Sequence, residues 1–433
     1  MRRGIHKLAL VLPLAAMACS AQTIAIVDAT AYIVPGEPAV KNATIVASNG
    51  KVQASGAHVA IPSGAKVIDA RGAIVTPGLM NSDSQLGLVE TGTADTADAA
   101  VTSGPFGASF DIEYSLNPNS TLLPIARADG LTRATVQPTG SATPPFDGYG
   151  AVLRLSEGAN ILDVPKAAMA ATVGGMVAPQ SGGSRAAEWL LIRAALDAAR
   201  ERLSASTSTR GMQPQDAAQQ PIFSARNLAA LVPVLQRKIP LVVTAYRESD
   251  LRQAIALADE ERIHVVIVGA DEGWRVADLL AAHRIPVVLD PYASSPATYD
   301  QIGARLDNAA LLDHAGVTIS FKATFVHVSY NAGIAIRIGA GIAVANGLPW
   351  AHALRALTVS PATTWGIDDH YGTLRPGMDA DLVLWDGDPL EPSSAPALVL
   401  VRGKQVSLET RQTDLEKRYH PNLSNATTPP GLQ

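Results

Sequence analysis

Short runs in which apolar and polar residues alternate crowd both ends of the chain, and apolar runs separated by helical patterns fill its middle. From residue 22 onward the runs TIAIVDATAYIV, NATIVASNGKVQASG and AKVIDARGAIV alternate in the manner of half-buried strands. Asn49-Gly50, set between two β-type runs, predicts a tight hairpin, because both residues accept the positive φ such a turn needs. After residue 370 a matching set returns in YGTLRPGMDADLVLWDGDPL and ALVLVRGKQVSL. Two β-rich ends around an α/β middle predict a small β-sandwich composed of residues 22–75 and 371–407.

The middle, residues 76–370, has a βα rhythm. LTRATVQP, AAMAATVGG, IPLVVTAYR, IHVVIVGA, IPVVLDP and GVTISFKA are short β-branched apolar runs of the kind buried on both faces of a parallel sheet. Helical patterns over Glu248–Glu261 and Gly273–His283 separate the later ones. With Ile74–Leu79 and the run GAVLRL, these make the eight strands of a (β/α)8 TIM-type barrel in an α/β protein. A doubly wound sheet is disfavoured, since no Gly-rich phosphate loop opens a helix. Ser204–Pro221 is polar and low in complexity and is expected to be a loop. Residues 408–433 form a C-terminal tail.

Arg2, Arg3 and Lys7 precede the apolar run LALVLPLAAMA, which small residues follow. Residues 1–21 therefore read as a secretory signal, too short to span a bilayer, with cleavage after Ala18 or Ala21 and a periplasmic destination. The single cysteine, Cys19, lies in this zone; lipid anchoring there ranks second, because the Leu usually found three residues earlier is missing. The remaining chain thus has no disulfide, thiol nucleophile or thiolate ligand. The 433 residues carry a formal net charge of −5 without a basic block, which argues against nucleic acid or an anionic membrane as partner. A small-molecule ligand or substrate remains, with a homo-oligomer possible.

Several stretches resemble the amidohydrolase superfamily, and most of all its imidazolonepropionase-like branch. GAKVIDARGAIVTPGLMNS is similar to that family's entry into the first barrel strand. LRQAIALADEERIHVVIVGADEGWRVADLLAAHRIPVVLDP follows its fifth to seventh strands. AGIAVANGLPWAHALRALTVSPATTWGI and GTLRPGMDADLVLWDGDPLE are similar to its last helices and returning strands. The resemblance implies a hydrolase of carbon–nitrogen bonds other than peptide bonds. The family pattern Pro-Gly-Leu-Ile-Asp-x-His-x-His, laid on this chain, puts Asn81, Asp83 and Gln85 at the aspartate and the two histidines. Thr244 then stands at the fifth-strand histidine, with Tyr246 two residues on, and Gly269 and Ala270 at the sixth. Thr324, ahead of Lys322, stands at the eighth-strand aspartate.

A catalytic zinc needs about three nitrogen or oxygen ligands and an open position for water. Gln85, Thr244 and Thr324 offer only neutral oxygens, so no metal site and no cofactor are expected, and zinc only through a non-standard site. Calcium accepts such oxygens, but Lys322 at a neighbouring strand end opposes any cation. If Asp83 and Lys322 meet at the barrel mouth, the ammonium supplies the positive charge a metal would have supplied; otherwise Lys322 snorkels to solvent. These two are the catalytic candidates. Gln85, Tyr246, Arg247, Asp290 and His327 are the candidates for substrate binding. Against this, Arg247 could pair with Glu248 or Asp250, Asp290 could brace a loop, and His327 could be structural. His264 falls at the bottom of the barrel. Glu90 is a proton shuttle or, more simply, a loop-pairing carboxylate. No GxSxG elbow is present; SGGS reads as a turn and N-cap, with Arg185 at the helix start. Three functions follow: a hydrolase with its usual metal ligands replaced, a catalytically inactive pseudoenzyme that binds a small molecule in the barrel mouth, or a structural partner.

Overall fold

Gly78 is the pivot on which the chain passes from one sheet to another. A β-carbon at this position would lie 2.0 Å from Thr132 Oγ1, so only glycine fits against the Thr132 side chain. The structure is a computed structural model and describes residues 22–90, 98–141, 143–175, 177–207, 223–323 and 331–419. Residues 1–21 with Cys19, the stretch 208–222, and both Thr324 and His327 lie outside the described residues.

Before the pivot, β1 (Ile24–Ala31), β2 (Val40–Ser48), β3 (Lys51–Gly56), β4 (Lys66–Asp69) and β5 (Ile74–Pro77) form most of one sheet. The β2–β3 hairpin turns at Asn49 and Gly50, both at positive φ, as the sequence predicts. β1 forks this sheet: its first half pairs β4 and its second half pairs β5, both in parallel.

After the pivot comes a second eight-stranded sheet. It contains β6 (Leu79–Ser84), β7 (Leu131–Val136), β8 (Phe146–Arg154), β9 (Leu162–Thr172), β10 (Leu241–Ala245), β11 (Val265–Gly269), β12 (Val287–Leu289) and β13 (Ile319–Phe321), in sequence order. The chain then returns, and β14 (Leu382–Trp385), β15 (Pro396–Val401) and β16 (Lys404–Gln405) join the first sheet by the pairing of β14 with β5. The first sheet is thus a composite of both chain ends, with its own apolar core around Ile26, Ile45 and Leu400.

Two expectations need correction. Ile74–Leu79 is not one barrel strand: Ile74–Pro77 belongs to the composite sheet, and the barrel strand begins at Leu79, beyond Gly78. Nor is the sheet parallel throughout, because β8 runs antiparallel to both β7 and β9. A parallel return needs a crossover of a dozen or more residues; the connections 137–145 and 155–161 are shorter and carry no helix. From β9 to β13 all pairings are parallel. The helix predicted at Glu248–Glu261 has those same ends. The helix Arg185–Thr207 continues through the first residues of the predicted loop. Among the described residues no helix is long and apolar enough to cross a membrane.

The edge strands β6 and β13 meet through the Asn81 side chain. Its Nδ2 donates to the Ala323 carbonyl at 3.3 Å, and its Oδ1 accepts from the Ala323 amide at 3.4 Å and the Asp83 amide at 3.2 Å. A side-chain amide here does the work of a ladder pair, and it draws the ends of these two strands together.

Candidate functional site at the barrel mouth

The last residues of β6 and the residue after β13 face each other across that seam. Lys322 Nζ donates to Asp83 Oδ2 at 2.8 Å, and each residue is only 8% exposed. Burial alone would lower the Lys322 pKa; Asp83, Tyr246 and Asp290 more than offset it, and the net shift is upward. The side chain is therefore an ammonium ion at all ordinary pH, able to stabilise negative charge but not to act as base or nucleophile. An ammonium has three N–H donors. Asp83 takes one, and among the described residues no other hydrogen-bond acceptor is found for it.

The pair borders a cavity of about 220 Å³, smaller than the ~300–1,000 Å³ of drug-sized ligand sites. Gln85, Gln137, Asp147, Thr172 and Thr244 give the cavity its polar wall, and Val242 and Val268 part of its apolar one. Gln85 and Thr244, placed by sequence, do reach this cavity. Tyr246 is set close enough to Lys322, Asp271 and Asp83 to feel their charges, and burial raises its phenol pKa.

Tyr246 also explains the sixth-strand position. A β-carbon on Gly269 would lie 2.7 Å from the Tyr246 ring, and Gly269 has a φ of +99°. A histidine at 269 and a tyrosine at 246 exclude one another in this packing.

The remaining candidates lie elsewhere. Arg247 is exposed, does not line the cavity, and precedes the helix Glu248–Glu261, accepting the Asp250 and Leu251 amides on its carbonyl. Its expected carboxylates are also taken, Glu248 by Arg252 and Asp250 by Arg185. Arg247 stands one residue past Tyr246, on the outward step of the chain. Asp290 is half-buried and raises the Lys322 pKa, but it borders a different hollow, with Asp271 and Ser294. Glu90 braces a loop, accepting from Asn117 Nδ2 at 2.7 Å and the Thr121 amide at 3.1 Å. Ser184 caps its helix by accepting the Ala187 amide.

Three polar groups at the mouth escaped the sequence reading. Asp147 on β8 is buried, accepts from Thr172 Oγ1 at 2.7 Å, and has its pKa pushed up to about 7 by desolvation. Gln137, just after β7, has both amide atoms buried and, among the described residues, without a hydrogen-bond partner. Asp271, directly after the Gly269-Ala270 pair, is raised to about 6 by burial. In the run VGAD the family pattern points to a histidine and not to the aspartate, and PFDGYG has too little apolar character to read as a strand.

Asp147 carries a pH signature. Its folded pKa lies above the unfolded value near 4, so the folded chain binds more protons in that window, and stability falls as pH rises from about 4 through about 7. An Asp147→Asn variant is expected to remove on the order of 2–3 kcal/mol of the stability loss between pH 5 and pH 8. Thermal melts at both pH values check this. Parallel wild-type and variant profiles would contradict it.

A divalent ion would need carboxylate or imidazole donors turned toward it. Here the Asp83 carboxylate already faces a resident cation. Among the described residues no three His, Cys, Asp or Glu side chains gather where they could hold a metal. This donor set does not suit a divalent ion.

The amidohydrolase family model matches residues 229–407. A 57-residue stretch, 13% of this chain, is 44% identical to the amidohydrolase tasK of Hapsidospora irregularis but spans only 6% of that protein. The fold is similar to that of an amidohydrolase from Thermotoga maritima MSB8, with a TM-score of 0.79 and 24% identity over 89% of this chain and 99% of the other. It is also similar, with a TM-score of 0.55 and 17% identity, to molinate hydrolase, over 94% of this chain and 97% of that one.

Proposed function

We propose that this chain, a member of the amidohydrolase superfamily, binds a small amide- or carboxylate-bearing molecule at its barrel mouth without a divalent metal. The observation that carries this reading is the buried Lys322–Asp83 pair, 2.8 Å apart at the edge of a cavity of about 220 Å³. The remaining ammonium N–H groups suit a ligand carbonyl or carboxylate, and the second Asp83 oxygen suits a ligand N–H, so an amide fits both at once. The two eight-stranded sheets are read here as the superfamily's TIM-type barrel and β-sandwich, in the imidazolonepropionase-like branch. Residues 1–21 are read as an export signal to the periplasm.

A second reading has one observation in its favour. Asp147, with a pKa near 7 in the same cavity, could pass a proton during metal-free cleavage of a non-peptide carbon–nitrogen bond, with Lys322 stabilising the developing oxyanion. Calorimetry on a panel of cyclic amides and dipeptides, with a chelator present throughout, tests the first reading. Saturable binding of at least one compound is expected. Binding that appears only after zinc is added would defeat it. Turnover under chelation, lost in Asp147→Asn, would select the second reading.

A further inference from the structure

Three consecutive helix-to-strand turns repeat one short motif at the end of the barrel opposite the mouth. Arg237-Lys238-Ile239-Pro240 leads into β10, Arg262-Ile263-His264 into β11, and Arg284-Ile285-Pro286 into β12. The three arginines have φ of +58°, +54° and +53°. This left-handed conformation at a helix end is usually given to glycine. A favourable interaction with the helix dipole accounts for one cation at each helix end. It does not account for their shared surroundings.

Arg237, Lys238, Arg262 and Arg284 all line one cavity of about 710 Å³, within the range of small-molecule sites. Asp259 is the sole carboxylate in that lining, and it pairs with His283 at 3.0 Å. Lys166, on the rim, turns to Asp111 and Glu113. Among the described residues the four cations have no carboxylate partner. Arg237 instead donates to His264 Nε2, at 2.9 Å from Nη2, so that imidazole is held neutral as an acceptor. Arginines on the nearby outer helix faces behave differently: Arg193, Arg200 and Arg252 each pair with a glutamate. Four cations without a carboxylate partner line the cavity, and the three glutamate-paired arginines lie outside it.

We infer that this cavity at the closed end of the barrel binds a small polyanion, with two or more closely spaced negative charges of phosphate or carboxylate type. Guanidinium groups on three adjacent turns match such a group geometrically, since each offers two donors in a plane. The inference is independent of the reading of the mouth.

Titration calorimetry of the whole chain at ~150 mM salt tests it, with pyrophosphate and citrate as probes and orthophosphate as reference. At least one of the two probes is expected to bind saturably at one site, at least tenfold more tightly than orthophosphate. Which of them binds separates phosphate from carboxylate recognition. The Arg262→Gln/Arg284→Gln variant should weaken it at least tenfold, whereas Arg193→Gln/Arg252→Gln, with the same charge change, should not. Lys238→Gln, at an exposed side chain, serves as the second reporter should the double variant fold poorly, and should weaken binding at least threefold. Neither probe binding saturably, or equal weakening by the two arginine pairs, would overturn the inference.

Discussion

Replacing Arg133 by methionine is expected to cost on the order of 3–5 kcal/mol of folding stability, the usual result of removing one partner from a buried ion cluster. The guanidinium is fully buried on β7 and reaches three carboxylates: Asp163 at 3.2 Å, Asp379 at 2.9 Å and Asp381 at 2.5 Å. It also lies over the Tyr371 ring, 5.1 Å from its centre. Asp163 belongs to β9 of the barrel, while Asp379 and Asp381 lead into β14 of the composite sheet. One side chain therefore holds the two sheets together. Lys51 still answers Asp379, and Arg154 still answers Asp163. Asp381 would have no cation left, and burial already pushes its pKa up, with Arg133 opposing.

The sign of the pH effect follows. Without Arg133 the folded pKa of Asp381 rises further above its unfolded value, so the variant gains relative stability as pH falls. The deficit should be largest at pH 8 and smaller at pH 5. Urea midpoints at the two pH values measure it. A deficit below about 1 kcal/mol, or one independent of pH, would contradict this role.

Much of this architecture was legible because β-branched runs announce buried strands whatever their partners. All eight barrel strands fall on or beside runs picked out by sequence, and the helix Glu248–Glu261 has its predicted ends. Strand direction was less visible. It depends on connection length, and the short links 137–145 and 155–161 carry a weaker signal than the apolar runs they join. The break at Gly78 was hidden for a related reason, since Ile74–Leu79 is continuously apolar apart from a turn-forming pair. The Asp83–Lys322 contact could be anticipated, because the first and last strands of a nearly closed sheet come near each other in space, although these residues are 239 apart in sequence. Asp147 could not, because it lies on a strand that runs against the parallel expectation, and Gln137 could not, because it lies in the short link after β7. The seam-closing role of Asn81 rests on its contact with Ala323, far along the chain, which the family pattern does not reveal.

The second large effect is expected at the mouth. Lys322→Met leaves the Asp83 carboxylate buried without its cation and should again cost about 3–5 kcal/mol. Adding Asp83→Asn to that variant removes the stranded charge and should recover at least about 1 kcal/mol, so the two substitutions are non-additive. Ligand binding should not return with stability, because neither the ammonium nor the carboxylate is restored. Urea midpoints for the two single variants and the double variant, together with calorimetry on the most stable of them, separate these outcomes. Additive losses would mean the pair is not coupled. Wild-type affinity in the double variant would place ligand recognition elsewhere.

The reading of the mouth depends on a lysine amine holding the place where a divalent cation would otherwise sit. Elemental analysis of the purified wild-type chain, before and after dialysis against a chelator, with melting recorded on both samples, addresses that directly. The account predicts no stoichiometric zinc or other divalent metal, and the same melting temperature before and after chelation. One equivalent of tightly held metal, whose removal lowers the melting temperature, would contradict it.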